Sequence, residues 1–444
     1  MAGSNRMLLS TLVPGIIFTG GIAILPIAET ASAPAPAITQ DAVLAQVATP
    51  EPDGAVAVVA AGLTNPRSFV FAPDGTLVVA LAGREGPHAG VVRTEEGCPV
   101  LVAGGLPAYR IVFGAITGVA DVAYLDGELY ALLSGGDTDR GETPNGLYRL
   151  DGAGGAELVA DISAFIREHP VAEKPRDYDT DGQPYAMLAM GDAFWVTEGN
   201  SNQVLRVGLD GTVARVADLS QGHPIPTGIA PAPDGGAYVA YFTAAPYAEG
   251  SARVVKVAPD GAVTDVWTGL TLVTALTLGP DGTLYALEMA TGHGDDPGAI
   301  APGTGRVVRM TDPDTAAPVV TGLALPVAMD FGPDGALYIA GPTFGADEGQ
   351  GTILRIDLSA RQPVAVPTAV PCPGHRPQRD PPRRDPASSR AERLEAPLGP
   401  RLAPYRRGRR AGWRLVPHRR RRSARRYRGR RPGRSPWRRG AGGP

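Results

Sequence analysis

The chain has 444 residues and a formal net charge of −3, from 42 basic and 45 acidic side chains. That near-balance sums two unlike pieces: residues 359–444 carry 25 Arg, no Lys and four acids, for +21, which leaves 17 basic and 41 acidic groups, or −24, in residues 1–358. A chain 43% hydrophobic is too apolar for wholesale disorder, and two cysteines cannot build a disulfide scaffold or a four-cysteine zinc site.

The first element in chain order reads as an export signal. Arg6 gives a short positive start, residues 8–28 are mostly apolar, and Ala31-Ser32-Ala33 and Ala35-Pro36-Ala37 are small-residue cleavage sites. Residues 1–33 are thus predicted to be a signal peptide, with a retained N-terminal anchor as the alternative. Pro14, Gly15, Gly20, Gly21 and Pro26 weaken that anchor as a helix. Either way the body is expected to be secreted or extracytoplasmic. Residues 34–54 follow as a Pro/Ala-rich linker.

Between 55 and 358 one pattern recurs: an alternating strand, an Asp-Gly type of turn, and a second strand rich in Leu, Tyr, Val and Ala. It reads NPRSFVFAPDGTLVVALAG (65–83), GVADVAYLDGELYALLSGG (118–136), QPYAMLAMGDAFWVTEG (183–199), IPTGIAPAPDGGAYVAYF (225–242), LVTALTLGPDGTLYALEMA (272–290) and LPVAMDFGPDGALYIAGP (325–342). Gly at such a turn accepts the positive φ that a tight hairpin needs. Third strands follow in GLYRL (146–150), QVLRV (203–207), RVVKV (253–257), RVVRM (306–310) and TILRI (352–356). Four short strands roughly every fifty residues describe propeller blades, and six repeats predict an all-β, six-bladed β-propeller over 55–358. AVAVVAAGL (55–63) is a fourth strand with no blade before it, and TILRIDL (352–358) lacks a fourth after it. The first is predicted to complete the last blade and close the ring, which removes two open sheet edges.

Beyond Leu358 neither strand alternation nor heptads continue, so residues 359–444 are predicted to be a disordered Arg/Pro-rich tail. Its dominant residues all have GC-rich codons, which is what a GC-rich gene read out of frame produces. A frameshift product is the favoured reading, and an arm that binds polyanions is the alternative.

In a propeller the short hairpins gather on one face and the longer connections on the other. The Asp-Gly turns are the short set and are expected to be structural. The longer loops bring Glu85, Asp137, Asp139, Glu142, Glu198, Glu249, Asp295, Asp296, Asp347 and Glu348 to the opposite rim, where function tends to concentrate. The sharpest motif is Asp177-Tyr178-Asp179-Thr180-Asp181-Gly182, which resembles the first half of a calcium loop, although Leu188 stands where the closing bidentate Glu belongs. Asp177, Asp179, Asp181 and Glu198 are the candidate metal ligands, with calcium as the one cofactor to consider. No G-x-S-x-G, P-loop or H-E-x-x-H is present, and the four His residues of the body (His88, His169, His223, His293) lack metal-ligand spacing. Cys98 lies in an outer turn beside Pro99 and is expected to be an inert thiol. Trp195 and Trp267 follow strand alternation and are expected to pack.

The run from VVAAGLTNPRSFVFAPDGTLVVALAG through DGQPYAMLAM, IPTGIAPAPDGGAYVAYF and GPDGALYIAG resembles the ScyD/ScyE family, named for the scytonemin pigment cluster. The likeness spans residues 55–358 and is most specific at Asn65-Pro66-Arg67, Pro184-Tyr185 and Pro226-Thr227-Gly228. It implies an exported six-bladed propeller related to NHL and TolB-like repeats, with no defined activity to carry over. Where the family has Pro-His before the Asp that leads into blade two, this chain has Val119-Ala120-Asp121, so no His chemistry transfers there.

These readings favour a monomeric binding scaffold without assignable catalysis. Its long-loop face takes a small molecule or a protein through Arg67, Tyr185 and Thr227 in the central funnel, and no nucleic-acid partner is expected. The alternative is a calcium-dependent lactonase or gluconolactonase-like hydrolase, with Glu198, Asn200 and Asp121 nearest to a metal at the funnel mouth. A quinone-dependent sugar dehydrogenase stands third, without a His/Arg set for hydride abstraction.

Overall fold

The hairpins form where the turn residues put them. Asp126 and Gly127 both adopt positive φ (53° and 81°), as a two-residue hairpin requires, and Leu125 pairs directly with Glu128 across the turn. The computed structural model describes residues 56–359 except 112–113, 140, 142, 294–299 and 344–347. The predicted signal peptide (1–33), linker (34–54) and Arg-rich tail, and the rim acids Glu142, Asp295, Asp296 and Asp347, lie outside the described residues. The chain divides into two compact units, Met1–Gln378 and Arg379–Pro444, and all described residues belong to the first.

Strand β1 (Val56–Leu63) comes first and joins the last blade. Blade one is β2 (Pro66–Phe71), β3 (Leu77–Leu81), β4 (Gly86–Glu95) and β5 (Cys98–Arg110), with a short fifth strand β6 (Ile116–Thr117) paired to the end of β5. Blade two is β7 (Val119–Leu125), β8 (Glu128–Leu133), β9 (Gly146–Leu150) and β10 (Ala156–Asp161). Blade three is β11 (Pro184–Met190), β12 (Ala193–Glu198), β13 (Gln203–Gly208) and β14 (Val213–Asp218). Blade four is β15 (Pro226–Pro231), β16 (Ala237–Tyr241), β17 (Ala252–Val257) and β18 (Val263–Leu270). Blade five is β19 (Val273–Leu278), β20 (Leu284–Glu288), β21 (Gly305–Asp312) and β22 (Thr315–Leu323). Blade six is β23 (Ala328–Phe331), β24 (Leu337–Gly341) and β25 (Gly351–Ile356), completed by β1, which runs antiparallel to β25 with Val56 opposite Ile356. The ring is therefore a six-bladed β-propeller closed by its N-terminal strand.

One helix interrupts the strands. α1 (Ile162–Glu168) forms inside the longest insertion because Asp161 caps it, accepting the Ala164 N–H at 2.7 Å, and because Ile162 and Ile166 share one buried face. The strand pattern of the sequence treats this stretch only as an insertion.

The core lies between blades. Trp195 packs with residues of blade four, and Trp267 is fully buried among Val254, Val273 and Leu276 at the seam of blades four and five, so both tryptophans pack as expected. On the short-hairpin face the turn aspartates first bond their own turns, as Asp74 does by accepting the Thr76 N–H at 2.9 Å. They then pair with a cation from the third strand of the same blade: Arg206–Asp192, Lys256–Asp234 and Arg355–Asp334 are each 2.6 Å apart. Those exposed pairs are screened by water and add little, so the turns are structural punctuation. Cys98, expected as a lone thiol, is instead disulfide-bonded. Among the described residues no helix is long and apolar enough to cross a membrane.

Candidate functional site

The six inner strands, β2, β7, β11, β15, β19 and β23, stand around a central channel with a cavity of about 290 Å³, at the small end of ligand sites. In blades one to five the pairing of first and second strands slips at the same place: between Pro66 and Ser68, Val119 and Asp121, Pro184 and Ala186, Pro226 and Ile229, Val273 and Ala275. Such a bulge re-aims the side chain next to it. The residue after the first paired position is Arg67, Ala120, Tyr185, Thr227 and Thr274 in turn. Of these, Arg67 and Tyr185 are the two large ones. Both line the channel at its long-loop end, and the Arg67 guanidinium carbon lies 5.3 Å from the centre of the Tyr185 ring. Blade two stands between them with only a buried Ala120, which leaves the arginine room to reach across.

The sequence reading puts Thr227 in the funnel beside them, and its placement differs. Thr227 is 1% exposed, and its hydroxyl donates to the Val273 carbonyl of the next blade at 2.7 Å. The Thr227 carbonyl in turn accepts the Thr197 hydroxyl of blade three at 2.6 Å. A residue held on both sides by neighbouring blades is a seam tie beneath the channel wall.

Below Arg67 the wall carries Asp121. Its Oδ1 accepts the Ser68 hydroxyl from blade one and its own blade's Val122 N–H (2.8 Å), while Oδ2 accepts the Met187 N–H from blade three (2.7 Å). One carboxylate thus joins three inner strands. Burial pushes its pKa up to about 6, the hydrogen bonds from Ser68, Met187 and Val122 pull it back, and the charge of Asp330 adds to the rise. Asp330, on β23, accepts the Thr277 hydroxyl at 2.7 Å and the Phe331 N–H at 2.8 Å, and burial raises it as well. Burial also holds the Tyr185 phenol above its ordinary range, with Arg67 opposing.

The calcium-like run is committed elsewhere. Asp181 pairs with Arg167 at 2.7 Å and accepts both the N–H (3.0 Å) and the hydroxyl (2.8 Å) of Thr138. Asp179 accepts the Asp181 N–H at 2.9 Å, and Asp177 lies 3.3 Å from His223 Nε2. Glu198 is fully buried: Oε1 accepts the N–H groups of Gln183 (2.6 Å) and Asn200 (3.0 Å), and Oε2 accepts the Ser201 N–H (2.7 Å) and hydroxyl. Burial raises the Glu198 carboxyl, against those hydrogen bonds. Glu288 occupies the matching end of blade five, is equally buried, and accepts the Thr271 N–H at 2.6 Å. Both glutamates therefore tie the lead-in of their own blade's inner strand.

No family model matches the chain, and no curated protein does. Among solved structures it is similar to an oxidoreductase (glucose dehydrogenase) from Thermus thermophilus, at 17% identity and TM-score 0.49, covering 68% of this chain and 99% of that one. It is similar also to a gluconolactonase from Xanthomonas campestris (15% identity, TM-score 0.43, 68% and 89% covered). A third is the calcium-binding protein regucalcin from Agrobacterium tumefaciens (15% identity, TM-score 0.45, 67% and 92% covered).

A calcium ion at the channel mouth would need open oxygens converging from several blades. Glu198 has four donors on its two oxygens and Asp121 has three. Asn200 uses Oδ1 for the Asp179 N–H (2.7 Å) and its amide nitrogen for the Asp177 carbonyl (2.8 Å). That donor set does not fit the ion, and among the described residues no three His, Cys, Asp or Glu side chains converge as a metal cluster. Many rim acids are likewise engaged: Glu348 lies 3.5 Å from Arg84, Glu85 lies 3.8 Å from Arg110, and Glu249 accepts the His293 N–H at 2.6 Å.

Sequence reasoning missed Ser68, Thr277 and Asp330 in the channel wall, and Tyr109 at the rim. Burial, then the charge of Asp179, pushes the Tyr109 phenol up to about 12, while a hydrogen bond with Gln183 opposes. The alternation of each inner strand was a usable signal for the wall residues. Nothing in the sequence placed Tyr109, because β5 runs thirteen residues before it reaches the rim.

Proposed function

We propose that the chain is an exported binding propeller of the ScyD/ScyE type that takes a small polar organic molecule at the mouth of its central channel. The observation that carries this reading is the pairing of Arg67 with Tyr185 across blade two, directly above the buried Asp121. A guanidinium and an aromatic ring held together by bulges offer a planar, donor-rich platform for a ring-shaped or carboxylate-bearing ligand. The test is a thermal-shift panel of sugar acids, aldonolactones and aromatic carboxylates. At least one class should stabilise the wild type and not Arg67→Ala; equal shifts in both proteins would remove the site.

The second reading is the lactonase or gluconolactonase-like hydrolase. Asp121 favours it: held near 6 and bonded to the Ser68 hydroxyl, it is the group suited to move a proton in the channel. The calcium-dependent form of this reading has no fitting donor set. Turnover of a lactone and aryl-ester panel, measured with calcium and with EDTA, separates the cases. Turnover lost in Asp121→Asn but indifferent to EDTA favours metal-independent hydrolysis, and no turnover removes the enzyme.

A further inference from the structure

The repeat sets a depth scale along the channel. NPRSFVF (65–71) and LPVAMDF (325–331) hold the same place in blades one and six, each ending three residues before its Asp-Gly turn. Asp330 therefore stands at the repeat position of Val70, three residues further along the inner strand than the level of Arg67. At about 3.3 Å per residue that is roughly 10 Å deeper from the long-loop mouth. Both residues line the same cavity.

Each carries a charge that the protein leaves open. Arg67 rests beside the Tyr185 ring, and among the described residues it forms no ion pair. Asp330 takes the Thr277 hydroxyl (2.7 Å) and the Phe331 N–H (2.8 Å) on one oxygen, Oδ1. Among the described residues Oδ2 accepts no hydrogen bond, and no cation opposes the burial that raises this carboxyl. Its side chain is open to the cavity, where a carboxylate without a counter-charge is costly to keep. Asp121, nearer the mouth, differs: donors from three inner strands already occupy both of its oxygens.

Between the two charges the wall of blades three to six is small and neutral. Ala186, Gly228, Ala275 and Ala328 line it at the level of Ser68, which leaves room for a slim carbon chain.

We infer that the cavity takes a zwitterion, an amino acid whose carboxylate meets Arg67 and Tyr185 and whose ammonium group, carried on a short carbon chain, reaches Asp330. The inference rests on the Arg67–Tyr185 platform proposed above and adds a second charged contact at the far end of the ligand. The ammonium donates to Oδ2 and supplies the counter-charge that the channel lacks, while the carboxylate gives Arg67 an anion. A calcium ion is a poorer match for Asp330, because one open carboxylate oxygen falls far short of the roughly six to eight oxygens that calcium takes. An α-amino acid holds both charges on one carbon and is too short to span the two levels.

The test is titration calorimetry on the full chain with γ-aminobutyrate, δ-aminovalerate and ε-aminocaproate. Each is measured beside its des-amino acid (butyrate, valerate or caproate), with glycine as the short control. At least one of the three should bind wild type about tenfold or more tighter than its des-amino partner, and tighter than glycine by a similar factor. Asp330→Asn keeps the side chain's shape and its Thr277 contact, so it should erase that advantage and leave the des-amino affinity in place. Arg67→Ala should weaken both members of the pair.

Arg67-dependent binding of the carboxylates with no gain from the amine, or a gain that survives Asp330→Asn, would overturn the zwitterion and leave the platform standing. A gain lost in Asp330→Asn but untouched in Arg67→Ala would overturn the platform, and with it the two-ended ligand. No binding by any probe would overturn both. The paired probes on wild type need no variant, so that comparison decides even where a substitution impairs folding.

Discussion

Two stretches of the channel wall solve the same seam problem with different chemistry. From blade three to blade six, neighbouring blades are joined by threonine hydroxyls: Thr197 to the Thr227 carbonyl at 2.6 Å, Thr227 to Val273 at 2.7 Å, and more weakly Thr274 to Pro326 at 3.5 Å, with Thr277 donating to the Asp330 carboxylate at 2.7 Å between blades five and six. From blade one to blade three the tie is a single carboxylate, Asp121, which gathers donors from three blades. A threonine tie is neutral, small and buried, and it places no charge in the wall. A carboxylate tie costs desolvation and places a titratable group in the wall, and above it the bulges present Arg67 and Tyr185 instead of threonine. The ring is therefore nearly six-fold in backbone and two-sided in chemistry, because only one of its carboxylate ties stands beneath Arg67 and Tyr185, and that side is where a small molecule would be recognised.

Four measurements can break or sharpen that contrast. The largest effect belongs to the buried glutamates of blades three and five. Glu198→Ala strands the N–H groups of Gln183, Asn200 and Ser201, Glu288→Ala strands the Thr271 N–H and the Arg306 guanidinium, and each should lower unfolding free energy by at least about 3 kcal/mol in urea melts. A loss under about 1 kcal/mol at either site, the usual scale of a single hydrogen bond, would mean water reaches that carboxylate.

Next is Asp121→Asn, which should cost about 1–3 kcal/mol near neutral pH. The pH dependence has a definite sign. With its pKa raised to about 6, the folded state keeps this proton to higher pH than the unfolded chain. The stability it contributes is complete below about pH 4 and is lost as the pH rises through about 6. Melts at about pH 4 and about pH 7.5 should show wild type losing ground relative to Asp121→Asn across that window. A gap that does not move with pH would leave Asp121 a purely structural tie.

Thr227→Val removes one seam hydrogen bond and should cost about 1 kcal/mol without touching ligand response. The smallest stability effect is expected for Arg67→Ala, within about 1 kcal/mol, because the side chain is half-buried and gives up a cation–π pair. If Arg67→Ala destabilised more than Thr227→Val, the arginine would be a packing residue and the two-sided picture would fail.

Much of the ring was readable from spacing. The Asp-Gly turns, the alternation of β2 or β19, and the orphan strand at 55–63 each have a local physical signature, and together they count to six blades. The channel residues were readable only in part. Arg67 and Tyr185 follow prolines that mark their strands, but the side each faces depends on a one-residue slip in strand pairing that no local pattern announces. The same slip turns Thr227, at the matching position, into the seam. The acidic run at 177–182 misled for a different reason. Spacing shows where carboxylates recur, but not that Arg167, Thr138 and Asn200, brought in by the fold, take up the loop's hydrogen-bonding groups.

The central claim is that small polar molecules are recognised on the Arg67–Tyr185 side of the channel. Titration calorimetry with the best-stabilising member of the sugar-acid, aldonolactone and aromatic-carboxylate panel tests it most directly, on wild type, Arg67→Ala and Thr227→Val. The prediction is affinity about tenfold or more weaker in Arg67→Ala, on the order of 1.4 kcal/mol, and unchanged in Thr227→Val. Equal affinity in wild type and Arg67→Ala, or a loss confined to Thr227→Val, would contradict the account.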